Sequence, residues 1–307
     1  GTRLNLMSDS PMPQLKLIEP NKKVRIGERK IVRVKRAQDI IEIIAWSIIM
    51  AMLVMFLLDG GLKGITDLPT ALGAISRLTS LLGTALLLIQ MLLIARIPWI
   101  DKFYGHDGAT IQHKKLGKPV LYFISAHFLA SLIQYAINDG KNVIETMISF
   151  LNIQDLLFAT ISLFLMIVVV VTSLNFARRA MSYESWFFVH LTAYISVAAA
   201  VPHIISTGSD VAGKPVQTVI WVSLYLFVFL NILWFRIIIP VRKSFRKRLV
   251  LAQSIRESSD TTSLYLTGKH LEKIEALPGQ FYFLRFMTPT QWWRPHPFSI
   301  SAAPNGE

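Results

Sequence analysis

Of the seven histidines in this 307-residue chain, four sit in or beside long apolar runs, and their spacing suggests chemistry. His113 and His127 are 14 residues apart, and His190 and His203 are 13 apart. At about 1.5 Å rise per residue, each pair spans about 20 Å of helix. If the two helices run in the same direction, His113 faces His190 at one level and His127 faces His203 at the other. Two bis-imidazole sites stacked along a bundle are what two b-type haems need. Zinc fits worse, because the two histidines of one helix are too far apart to share a metal. The chain has no cysteine, which excludes disulfides, thiolate-held iron–sulfur clusters and C-x-x-C-H haem attachment. A redox metal here is therefore held by His, Met or carboxylate. One geometric difficulty accompanies the spacing. At about 100° per residue the first pair lies about 40° apart in phase but the second about 140°. Pro202, beside His203, is expected to bend its helix, and Pro119 to kink the other.

The elements that must position these residues read as membrane spans. Hydrophobic residues make up 52% of the chain and mean hydropathy is +0.46. Six stretches, 40–58, 71–94, 119–137, 155–176, 186–205 and 216–239, are long enough to cross a hydrocarbon core of roughly 30 Å. The expected fold is an all-α membrane bundle of six transmembrane helices holding two stacked b-type haems. The 32 Lys and Arg against 19 Asp and Glu give a net charge of +13. Ten of those cations precede residue 37, five lie in 95–118 and two in 177–185, and Arg242, Lys243, Arg246, Lys247 and Arg248 follow the last span. The opposite connections carry one each, Lys63, Lys141 and Lys214. This asymmetry puts both termini on the cytoplasmic face of a multi-pass cell-membrane protein. Charge spread over membrane-flanking loops makes the lipid bilayer the expected partner and argues against nucleic acid. Residues 1–37 read as a basic cytoplasmic arm and 38–240 as the six-helix domain. Residues 241–307 read as a linker and an incomplete β-rich domain with short strands near 263–267 and 280–286.

Arg77 is the other residue of interest, because a lone Arg inside a span is costly unless it is paired or snorkels to the interface. Haem propionates at the level of His127 and His203 would pair with it, and outer lipid phosphate is the competing partner. For Arg96, Arg178 and Arg179 the positive-inside pattern suffices. Phe123, Phe128 and Tyr194 could shorten an electron path, but packing or lipid contact explains them more simply. His106, in a Gly-flanked loop, and His270, in an exposed loop, receive no functional role.

The last stretch carries Pro278-Gly279-Gln280-Phe281, then Arg285-Phe286, then Trp292-Trp293-Arg294-Pro295-His296-Pro297-Phe298-Ser299. Together with the histidine spacing and the loop from Arg178 to Trp186, these motifs resemble the ferric reductase and NADPH oxidase family of membrane flavocytochromes b. The resemblance runs from about residue 40 onward. It implies that the H-P-F-S run lies on a strand of a cytoplasmic β-barrel flavin domain. Phe298 would pack on the FAD isoalloxazine and Ser299 would hydrogen-bond near its reactive nitrogen. His296 and Pro297 would form the adjoining wall. No G-x-G-x-x-G loop follows, so the NADPH- or NADH-binding lobe and most of the flavin domain are expected outside this stretch of sequence.

The expected function is transmembrane electron transfer from cytoplasmic NAD(P)H, through FAD and two haems, to O2 or an Fe(III) chelate at the outer face. Many oxidases of the family carry a second His one turn beyond the outer ligand. Ser131 stands there in this chain, which weakens a dedicated superoxide generator, although Arg77 stays as a charge in the same place. Two other readings are open: a quinone-linked di-haem cytochrome b subunit, and a haem-free transporter or channel with a histidine proton relay.

Overall fold

The computed structural model describes residues 25–269, 281–289, 291 and 296–299. The chain divides into two compact units, Gly1–Leu226 and Phe227–Glu307.

The first unit is helical: α1 Arg25–Leu58, α2 Leu68–Leu93, α3 Pro98–Asp139, α4 Val143–Leu151, α5 Gln154–Ser173, α6 Asn175–Ala180 and α7 Tyr183–Thr207. Helix α8, Pro215–Ile232, crosses the boundary between units. Six helical stretches are long and apolar enough to span a membrane: α1 from Val32, α2, α3, α5, α7 and Pro215–Arg246. Trp46, Phe164 and Ile195 on these spans are exposed, as expected of side chains that face lipid. The chain is a multi-pass membrane protein.

Local sequence sets the helix starts. The Asp67 carboxylate accepts the Thr70 amide at 3.0 Å, and Thr70 Oγ1 accepts the Asp67 amide at 3.2 Å, a reciprocal cap that opens α2. The Thr70 amide also holds the Asp67 carboxyl below its ordinary 3.8. Ser182 opens α7 by accepting the Ser185 amide at 3.1 Å.

Helix α2 packs along α3, and α5 along α7. A Cβ on Gly83 would lie 3.1 Å from Phe123 Cβ and 3.2 Å from Ile124 Cγ1, so the α2–α3 approach is close there and leaves little room for a side chain. On the other pair, buried Ser196 donates to the Ser162 carbonyl at 2.8 Å.

Several boundaries differ from the sequence expectation. Helix α1 begins at Arg25, within the stretch read as an arm; residues 1–24 lie outside the described residues. Helix α3 begins at Pro98, so most of the expected inner loop is helical, and His106 lies in the helix rather than in a loop. The break in α3 falls at Gly105 (φ 67°, ψ 163°), a conformation open to glycine, whereas Pro119 sits in helical backbone. The short α4 occupies the connection between α3 and α5, which lay between two expected spans.

In the second unit a π-helical turn, Leu233–Ile238, precedes α9, Ile239–Lys247. Pro240 cannot donate to a carbonyl one turn back, which accounts for the widened turn directly before it. Strand β1, Val250–Arg256, pairs antiparallel with β2, Thr262–Thr267. Strand β3, Phe281–Leu284, pairs antiparallel with β4, His296–Ser299, with Tyr282 opposite Phe298. Among the described residues these form two separate two-stranded sheets. Residues 278–280 of the P-G-Q-F run, Trp292–Pro295 and His270 lie outside the described residues.

Candidate functional site

Four histidines of the first unit meet in two pairs. The ring centroids of His113 and His190 are 6.0 Å apart with planes at 70°, and those of His127 and His203 are 6.1 Å apart at 46°. The pairs join α3 to α7, whose backbones otherwise make little close approach. The 13-residue spacing on α7 therefore does not prevent facing, and Pro202 lies within the continuous helix.

Hydrogen bonding defines which nitrogen each ring presents. A carbonyl oxygen can only accept, so the 3.0 Å contact from His113 Nδ1 to the Gln90 carbonyl makes Nδ1–H the donor. Gln90 is in the last turn of α2, where carbonyls lack intrahelical partners. His127 Nδ1–H likewise donates to the Ser76 carbonyl at 3.0 Å, with Ser76 Oγ at 2.9 Å. Ser76 and Gln90 are 14 residues apart on α2, as His113 and His127 are on α3. Antiparallel packing matches the two registers.

The α7 rings use hydroxyls. Ser173 Oγ donates its single proton to the Val169 carbonyl at 2.7 Å, so at 3.2 Å it accepts from His190 Nδ1–H. Thr207 Oγ1 donates to the His203 carbonyl at 2.9 Å and so accepts from His203 Nδ1–H at 2.7 Å. All four rings are thus Nδ1–H tautomers with the lone pair on Nε2. This is how proteins orient a histidine for metal ligation.

The separations fit one metal between each pair of rings. A metal–nitrogen bond of about 2.0–2.1 Å on each side, plus the half-ring behind each nitrogen, puts the centroids roughly 6 Å apart. Among the described residues no group of three or more His, Cys, Asp or Glu could hold a metal ion. Each pair offers two imidazole nitrogens, and a porphyrin bound between them would supply the remaining ligands. These residues fit b-type haem.

Arg77 has partners within the chain. Its Nε contacts both Asp210 carboxylate oxygens at 3.1 Å, a terminal nitrogen bonds Asp210 Oδ1, and that nitrogen lies 3.5 Å from Asp59 Oδ2. Lys214 Nζ bonds Asp59 in turn. That bond is the largest influence holding the Asp59 carboxyl below its ordinary 3.8. Two cations and two carboxylates leave the cluster neutral. It ties α2 to the end of α1 and to the turn after α7. Ser131 bonds Ser76 Oγ at 2.6 Å, one step from His127. Phe123 packs against Gly83.

Sequence reasoning did not find Ser76, Gln90, Ser173, Thr207 or the acidic partners of Arg77. The recurring interval of 14 and the placement of Thr207 one turn after His203 were available signals. The use of a backbone carbonyl leaves no mark on residue type. On β4, Phe298 is 41% exposed and His296 packs on Phe286, with ring centroids 5.4 Å apart.

The fold and the paired rings define a multi-pass membrane bundle with two stacked bis-imidazole sites. Residues 79–201 match the family described as ferric reductase like transmembrane component. The matched stretch contains His113, His127 and His190; His203 lies just past it and Arg77 just before. No curated protein and no solved structure matches the chain. The matched stretch is similar to a transmembrane component of ferric reductases, a likeness that suggests an oxidoreductase type and electron transfer across the membrane.

Proposed function

We propose that this protein passes single electrons across the membrane, from cytoplasmic NADH or NADPH through FAD and two b-type haems to O2 or an Fe(III) chelate at the outer face. The observation that carries the proposal is the pair of imidazole sites, with ring separations of 6.0 and 6.1 Å and every Nδ1–H committed to the protein. Bound there, haem would supply reversible one-electron chemistry at two levels of the bilayer. His113 with His190 forms the inner site, and His127 with His203 the outer one. With both imidazoles of a pair committed to a haem iron, the acceptor would be reduced by outer-sphere transfer without binding the metal. One hydride delivers two electrons, enough for two Fe(III) to Fe(II) or two O2 to superoxide.

His296, Pro297, Phe298 and Ser299 on β4 are the proposed FAD contacts; the exposed Phe298 ring suits stacking on a flavin. Arg77 is the proposed polar contact beside the acceptor, held in place by Asp210 and neutralised within its cluster. Ser131, hydroxyl-bonded where many oxidases carry a second His, favours the Fe(III) chelate.

The test uses sealed vesicles carrying the haem-loaded protein, reduced flavin mononucleotide outside, and ferric citrate with an Fe(II)-specific chelator inside. Internal Fe(II) should form at a rate that scales with protein. A parallel run with cytochrome c inside, with and without superoxide dismutase, reports O2 as acceptor. No internal reduction of either kind would refute the proposal.

A further inference from the structure

We infer that Trp186 and Arg178 act as positioning residues that set the orientation and redox bias of the His113–His190 site. The inference rests on reading that site as haem ligation. Three observations converge on one hydroxyl. Ser173 Oγ gives its proton to the Val169 carbonyl at 2.7 Å and accepts from His190 Nδ1 at 3.2 Å. It also accepts from the Trp186 indole N–H at 3.2 Å. Both acceptor positions and the proton are then in use. The His190 ring is fixed in rotation, and two N–H donors compete for the same oxygen.

The indole also lies against the imidazole, centroids 5.0 Å apart with planes at 30°. The Arg178 guanidinium lies 4.8 Å from the centre of that indole and 5.8 Å from that of Tyr183. It is anchored by donation to the Met181 carbonyl at 3.3 Å. A half-buried cation over an aromatic face is less screened than one in open water.

The sign of each effect follows. Competition from the indole weakens the His190 Nδ1–H bond, which keeps the imidazole less anionic and the iron easier to reduce. Arg178 acts in the same direction, because a nearby positive charge favours the state with the extra electron. At the His127–His203 site the cluster that contains Arg77 is neutral, so the bias falls on one site. The inner site is thereby tuned to take an electron from the cytoplasmic donor.

The experiment is a potentiometric titration of the haem-loaded chain in nanodiscs, followed at the α-band. Arg178→Gln should lower one of two midpoints by about 59 mV, a tenfold change for one electron, and leave the other unmoved. Arg178→Lys should stay within about twofold of the unmodified chain, and Arg179→Gln, the exposed neighbour, should shift neither midpoint. Trp186→Phe keeps the ring and removes the N–H. It should lower the same midpoint by about 28 mV, a threefold change for one electron, and move the low-spin EPR g-values as His190 turns. Unchanged midpoints in Arg178→Gln and Trp186→Phe, with two haems retained, would overturn the inference. Failure of the underlying reading looks different, since the unmodified chain would then take up no haem. Should Arg178→Gln lose the site, the comparison of Arg178→Lys with Trp186→Phe carries the same test.

Discussion

A histidine can present either ring nitrogen to a partner, and in this protein hydrogen bonds decide which. The four Nδ1–H groups go to two α2 carbonyls and two hydroxyls, so the lone pairs lie on Nε2. The histidines were legible from spacing alone. Their acceptors were not, because a carbonyl belongs to every residue type. Arg77 was legible as an anomaly, yet its partners lie 18 and 133 positions away. Its removal would strand Asp210, whose side chain is 5% exposed. Arg77→Ala should therefore cost about 3–5 kcal/mol, and Arg77→Ala with Asp210→Ala should cost less than the single change. Melting curves in detergent measure both, and a double variant no better than the single one would contradict the pairing. Lys214 lowers the Asp59 carboxyl, so the stabilisation from that pair is full above the ordinary carboxylate range. It is lost only as pH falls through the folded value. The melting-temperature gap between the unmodified chain and Asp59→Asn should hold from about pH 8 to 5 and begin to narrow only below about pH 4. A gap that closes near neutrality would count against it.

At the scale of elements, α2 contributes none of the four paired histidines, yet its carbonyls hold both α3 rings. That role depends on close approach at Gly83, where an added Cβ would meet Phe123 at 3.1 Å. A Cβ at Gly117 would meet Gln90 Nε2 at an ordinary 3.6 Å. Gly83→Leu should part the helices and lower haem retention on dilution at least several-fold, while Gly117→Ala should retain haem as the unmodified chain does. Equal retention in the two variants would show that the α2–α3 spacing does not matter to the site. The six spans were legible because an uncovered apolar face leaves a long hydrophobic run. The start of α3 was not, since 98–118 is polar enough to read as a loop. The phase difficulty on α7 came from treating the helices as straight and parallel. The rings nevertheless meet with centroids 6.0 and 6.1 Å apart and planes at 70° and 46°.

At the scale of the whole molecule, hydropathy alone identified a multi-pass membrane protein, and the match over 79–201 agrees. The tail was legible in part: strands stand near 263–267 and at the H-P-F-S run, but β1 lacks the alternation that marks a half-buried strand. The proposed orientation is testable because the chain has no cysteine. Lys141→Cys should react with an impermeant maleimide added to intact cells, and Lys115→Cys only after permeabilisation; the reverse pattern would invert the topology. The claim beneath all of this is that four imidazoles hold two haems, and haem stoichiometry tests it most directly. A pyridine haemochrome assay should find two haems per chain, and one after His113→Leu, His127→Leu, His190→Leu or His203→Leu. A chain without haem, or a variant that keeps both, would contradict the account.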